Sequence, residues 1–242
     1  MKNKLITNIG AIALISTTLL ALSGPHGNLA TGAGGDNGEI CVYCHTPHAA
    51  NVENGVTPLW NKPTSALVTQ MGNSYPMYGT TMAGTTTTSQ PQDQTLACLS
   101  CHDGVSAMNS VVNAPGSGSA SIYGSQIIGN NSLNNKVMTE SSFTVGKVVA
   151  GNPGLANDHP ISIVYTPGKA SLRPVETPLQ PYINATGTHQ WIGAKLISDL
   201  LKGPDKNMVH CTSCHDPHTN ENETYLRVSN NSSSLCYGCH DK

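Results

Sequence analysis

The sequence predicts an irregular fold, mainly coil with short helices and a few short strands, whose interior is filled by something other than its own side chains. Three observations carry that expectation. First, the 242 residues include one Phe and two Trp, too little large apolar side chain for an ordinary core at this length. Disordered chains share that poverty, but they usually carry far more charge than the 11% found here. Second, the eight cysteines fall in four pairs of identical spacing, each followed at once by a histidine. Third, tracts rich in Gly, Ser, Thr and Asn, such as residues 80–92 and 113–135, read as loops.

The elements follow in chain order. Lys2 and Lys4 precede an apolar run over residues 5–22 and small residues at 21–23, the layout of a secretory signal peptide over residues 1–23. That run is short and interrupted by Thr7, Asn8, Ser16, Thr17 and Thr18, which argues against a membrane helix; no other segment is apolar enough to span a bilayer. Residues 24–150 then form a first module with long loops, and residues 151–242 a second. A helix is expected over residues 63–71 and short strands over 142–149 and 161–165. The strongest helical pattern covers residues 190–202, with Trp191, Ile192, Leu196, Ile197, Leu200 and Leu201 apolar and Gly203-Pro204 as its stop.

The cysteine pairs define the chemistry. They are Cys41-Val42-Tyr43-Cys44-His45, Cys98-Leu99-Ser100-Cys101-His102, Cys211-Thr212-Ser213-Cys214-His215 and Cys236-Tyr237-Gly238-Cys239-His240. A secreted chain with an even cysteine count ordinarily forms disulfides, but C-x-x-C-H is the attachment sequence of c-type haem. The two thiols form thioethers with the two vinyl groups, and the adjoining imidazole reaches the iron. All eight cysteines are used this way, so the sequence implies four covalently bound haems with His45, His102, His215 and His240 as proximal ligands. Four porphyrins supply the missing interior, and the chain is expected to wrap around them as a multihaem cytochrome c.

Each iron has a second axial position. The other histidines are His26, His48, His159, His189, His210 and His218, enough for bis-histidine ligation at every site. Methionine is the rival ligand. His48 follows His45 by three residues and His218 follows His215 by three, so neither reaches the far face of its own motif's haem; each must serve another. The motifs alternate as C-x-x-C-H-x-P-H and plain C-x-x-C-H, which reads as two haem pairs. His48 is therefore assigned to the haem of His102, and His218 to that of His240. His159, before Pro160 and beside Asp158, and His26 are left for the haems of His45 and His215. His189 is held in reserve, and His210 stands too close to Cys211 to reach a distal face.

The stretches "GEICVYCHTPHAAN", "NDHPIS" and "VHCTSCHDPHTNENETYLRVSNNSSSLCYGCHDK" resemble the doubled C-x-x-C-H multihaem c-type cytochromes, and most of all the tetrahaem members that polymerise into extracellular filaments. The resemblance covers both ends of the chain; residues 108–151 carry no motif. It implies bis-histidine haems in a continuous stack and no enzymatic site. It also implies an iron ligand shared between subunits, for which His26 on the N-terminal arm is the candidate. The expected partners are further copies in a head-to-tail homopolymer, redox partner cytochromes and extracellular electron acceptors. The expected location is extracellular or at the cell surface, reached through the periplasm. The alternatives are a monomeric periplasmic electron shuttle and a multihaem reductase of a small oxoanion, which needs an open iron position. The formal net charge of −2, made more negative by haem propionates, excludes nucleic acid as a partner.

Overall fold

The computed structural model describes residues 26, 40–52, 59–63, 75–104, 106–107, 110–114, 126–127, 145, 148–149, 152–184 and 187–241. Within them, each cysteine motif is built on a single turn of backbone. The His45 N–H donates to the Cys41 carbonyl at 2.7 Å, His215 to Cys211 at 3.0 Å, and His240 to Cys236 at 2.9 Å. Each bond closes one helical turn, which sets both sulfurs and the imidazole around a single loop of backbone. The first motif lies on a 3-10 turn, Ile40–Tyr43. The second ends helix α1, Asp93–His102. After helix α2, Ile197–Leu200, the third motif forms α3, Cys211–Cys214, and the fourth lies in α4, Ser234–Cys239.

The strands pair two by two, all antiparallel. Strand β1, Ser110–Val111, pairs with β2, Gln126–Ile127; β3, Val148–Val149, pairs with β4, Asn152–Pro153. Strand β5, Ile163–Val164, pairs with β8, Met208–Val209, and β6, Tyr182–Asn184, with β7, Gly187–His189. Ladders this short add little stability by themselves. The β5–β8 pair matters for position: it delivers the chain to His210 and Cys211.

The buried apolar residues gather beside the motifs rather than in one centre. Tyr43 and Val111 pack with Cys44; Leu96 and Leu99 of α1 pack with Tyr75 and Leu155. Tyr165, Leu179, Trp191, Ile197, Leu200, Leu201 and Val228 form the largest group, with Leu235 and Cys239 against it. Full burial of a side chain such as Leu99 contributes about 1.5–3 kcal/mol. Buried polar groups tie the motifs down. The Asn61 amide donates to Val42 O at 2.7 Å and Asn113 O at 3.0 Å while accepting from Asn113 N at 2.8 Å, so it is satisfied on both sides. Tyr165 Oη lies 2.8 Å from Arg173 O and 3.2 Å from Cys239 O.

Gly238, inside the fourth motif, is required by packing. A Cβ there would lie 2.3 Å from Trp191 Cζ2 and 2.6 Å from Cη2, and Trp191 is fixed by its Nε1–H bond to Gln180 O at 3.0 Å. Gly238→Ala is expected to cost about 1–3 kcal/mol by overpacking, lowering the melting temperature of the haem-loaded protein by several degrees. An unchanged melting temperature would contradict this packing.

The structure corrects some local expectations. Helix is confined to residues 197–200 instead of 190–202. Gly193 takes φ +67°, Leu196 is extended, and the Asp199 carboxylate accepts from Lys195 N and Leu196 N, both at 2.8 Å, so the helix starts late. The strand expected over 161–165 is reduced to Ile163–Val164, because Ser162 before it has φ 50°. Within 142–149, Val148–Val149 is a strand; within 113–135, Gln126–Ile127 is a strand rather than loop. The signal peptide at 1–23 and the helix expected at 63–71, beyond Pro63, lie outside the described residues. No helix among the described residues is long and apolar enough to cross a membrane.

Candidate haem sites

Six histidines stand in three facing pairs. The rings of His45 and His218 are 6.2 Å apart between centroids and inclined by 14°. Those of His26 and His102 are 6.1 Å apart at 65°, and those of His159 and His240 are 6.4 Å apart at 69°. Two imidazoles bound through Nε2 to opposite sides of one metal ion, with bonds of about 2.0 Å, hold their centroids about 6 Å apart. Each pair joins one motif histidine to one histidine from elsewhere in the chain.

The hydrogen bonds at Nδ1 fit the same arrangement. His215 Nδ1 lies 2.8 Å from Thr224 O, His240 Nδ1 3.0 Å from Ala170 O, and His159 Nδ1 3.1 Å from Pro160 O. His26 Nδ1 is 3.3 Å from Pro217 O, and His218 Nδ1 is 2.9 Å from Asp216 Oδ1. Carbonyls and carboxylates only accept, so Nδ1 carries the proton and Nε2 keeps its lone pair, the tautomer a metal-binding histidine needs. Burial holds the His26 pKa below its usual value, against the opposing bond to Pro217, which keeps the ring neutral. Tyr225 stacks on His26 at 4.5 Å, and Trp60 stands edge-on to His45 at 5.6 Å.

The pairing differs from the sequence assignment. His218 faces His45 instead of His240, His159 faces His240, and His26 faces His102 of its own chain. His48, assigned to the haem of His102, is exposed; its carbonyl is pinned by Thr46 Oγ1 and Asn113 Nδ2, both at 3.0 Å. The reason is tertiary: which rings meet depends on how turns distant in sequence pack together, α1 on α3 among them. Among the described residues, which include all ten histidines, neither His215 nor His48 has another histidine ring opposite it. His189 lies on β7 beside an open cavity of about 470 Å³ lined with Trp191, Glu221 and Asn222. His210 is fully buried, with Nδ1 2.9 Å from Thr95 Oγ1 and Nε2 3.7 Å from Asp93 Oδ2; burial lowers its pKa to about 4. Both of its nitrogens point into protein, so it is not placed as a ligand.

All eight cysteines are free of disulfides. Burial pushes the Cys44 thiol up to about 12, with nearby Cys101 adding to the effect. Burial likewise raises Cys214 to about 12, with Cys239 adding, and Cys239 to about 11. Cys98 is pushed up, first by its interaction with the Cys211 thiol and then by burial, and the same interaction pushes Cys211 down.

These residues fit haem c. Each facing pair sets two imidazoles at a separation that would suit one iron, with a cysteine pair on the same turn as the motif histidine, and a haem would bring its own four nitrogens and covalent attachment. Among the described residues no group of three or more His, Cys, Asp or Glu converges as a metal centre made by protein alone would. Residues 204–242 match the doubled CXXCH motif family, which implies covalent haem c in a multihaem c-type cytochrome and a role in electron transfer. No curated protein matches the chain.

Proposed function

We propose that this multihaem c-type cytochrome holds four bis-histidine haems and carries electrons along them as the subunit of an extracellular conductive filament, without enzymatic activity. The observation that carries the reading is the set of facing histidine pairs. His45 with His218, His102 with His26, and His240 with His159 would each hold one iron between two imidazoles. Imidazole at both positions favours the ferric state over thioether ligation and gives low potentials, suited to passing electrons rather than binding substrate.

The fourth iron, that of His215, bears on assembly. His218 of the third motif completes the iron of the first, so His48 of the first motif is the chemically matching ligand for the iron of the third. It does not meet His215 in its own chain, and it is exposed, as are Val52 and Leu59. His48 reaching His215 of the next copy makes a heterologous contact that repeats without closing, which builds a filament. In this reading His48 takes the linking role first given to His26. Export through the periplasm to the cell surface, and exchange with partner cytochromes and extracellular acceptors, complete the proposal.

The unpaired His215 also favours a second reading, a monomer whose open iron binds a small oxoanion or another ligand. Haem analysis of secreted protein is expected to give four haems per chain. In assembled material all should be low-spin and unreactive to CO, and electron microscopy should show filaments. His48→Ala is expected to give single subunits in which one haem in four binds CO. Wild-type protein that stays monomeric and binds CO at one haem would establish the second reading.

A further inference from the structure

In the two C-x-x-C-H-x-P-H motifs, the residue between the motif histidine and the proline is Thr46 in the first and Asp216 in the third. That difference changes what the following histidine meets. In the first motif Thr46 Oγ1 donates to His48 O at 3.0 Å. In the third, the His218 N–H and the His218 Nδ1–H both donate to Asp216 Oδ1, at 3.1 Å and 2.9 Å. His26, His159, His215 and His240 turn Nδ1 to uncharged carbonyls instead. The Asp216 carboxylate is itself fixed. Its Oδ2 accepts from Arg227 Nη1 at 3.2 Å, and the two side chains are only 17% and 11% exposed, so solvent screens the pair in part. Arg227 is anchored on the third motif: its backbone N–H donates to Cys214 O at 2.8 Å and its Nε–H to Thr212 O at 2.9 Å. One carboxylate is thus held between an imidazole and a guanidinium, and that imidazole faces His45 at 6.2 Å.

We propose, resting on the His45–His218 ligation put forward above, that Asp216 lowers the redox potential of the haem at His45 through the Nδ1 proton of His218, and that Arg227 limits the effect. A carboxylate at Nδ1 draws the proton toward itself and leaves more negative charge on the ring, so Nε2 becomes a stronger donor. Ferric iron carries one more positive charge than ferrous iron and gains more from such a ligand, so reduction becomes harder. A carbonyl at the same place has no net charge and does less. Arg227 works in the opposite sense, because its charge-assisted bond to Oδ2 withdraws charge from the carboxylate. Thr46 offers His48 no carboxylate, so the two matching histidines are unequal ligands, and His218 is the stronger donor. Asp216 and Arg227 touch no iron; both are positioning residues that act through His218.

The test is a redox titration of the haem-loaded full chain, with the low-spin EPR signals followed against potential. The His45 haem is identified as the low-spin component missing from His218→Ala. Asp216→Asn keeps an acceptor at Oδ1 and removes the charge. The potential of its His45 haem is expected to rise, by more than that of any other haem, with all haems still low-spin. Asp216→Glu, which restores a carboxylate, should bring the potential most of the way back. Arg227→Gln should move the same haem in the opposite direction, to lower potential. A purely structural role for the pair gives a different pattern: both changes loosen the same ring, so both shift the potential one way or open the iron to CO. If Arg227→Gln does not fold, the Asn and Glu variants at Asp216 decide alone. An unchanged His45 haem in Asp216→Asn, or shifts of one sign from Asp216→Asn and Arg227→Gln, would overturn the proposal. A His218→Ala protein that keeps every low-spin component would instead defeat the ligation beneath it.

Discussion

His26→Ala is expected to leave the haem of Cys98 and Cys101 with one protein ligand. His26 faces His102 at 6.1 Å and is held there by three contacts from the second module. Its N–H donates to Tyr225 Oη at 2.8 Å, its Nδ1 meets Pro217 O at 3.3 Å, and its ring lies on Tyr225. Because the thioethers stay intact, haem content should not change. One haem in four should become five-coordinate and high-spin, bind CO on reduction, and shift in potential, while the other spectra persist. His48→Ala, the variant that the sequence assignment would have chosen for this haem, should leave it six-coordinate. Loss of the sixth ligand at that haem in His48→Ala, with His26→Ala silent, would reverse the pairing.

His218→Ala should be the most destabilising single histidine change. The His218 ring faces that of His45 at 6.2 Å across the division between residues 24–150 and 151–242, and its orientation is heavily supported. Asp216 accepts from His218 N at 3.1 Å and Nδ1 at 2.9 Å, and Arg227 Nη1 holds Asp216 at 3.2 Å while bonding Ile192 O at 2.8 Å. Losing that axial bond should cost on the order of 3 kcal/mol, a fall of about 6–12 °C in Tm for a chain of this size. Calorimetry of the haem-loaded variant measures it directly. Asp216→Asn should give a smaller fall, since it weakens the orientation of the ring but leaves the ligand. A Tm within a degree or two of wild type for His218→Ala would mean that no iron joins the modules at this point.

What could be read from the sequence was local. Two thiols and an imidazole on one turn need only adjacent residues, so Cys41 to His45 and its three counterparts declared their chemistry without a fold. Which histidine faces which motif depends on how separate turns are brought together. His218 looked like the natural ligand of the nearby fourth motif, but its ring faces that of His45 in the first. His210 looked like one spare histidine among six; only the approach of Thr95 and Ser162, both distant in sequence, buries it. The apolar run at 191–201 suggested one helix because Trp191, Ile197, Leu200 and Leu201 do share a single buried cluster. They reach it through an irregular path that bends at Gly193, and periodicity cannot separate that path from a helix when the packed surface curves around the chain.

The buried thiols also constrain the order of events in maturation. Cys44 and Cys214, raised to about 12, are almost wholly protonated at neutral pH, and a protonated enclosed thiol is a poor nucleophile. A chain that closed into this arrangement before receiving its prosthetic groups would leave six of the eight reacting thiols only partly accessible. Attachment therefore has to run ahead of closure, on a chain still open enough for each vinyl group to reach its sulfur.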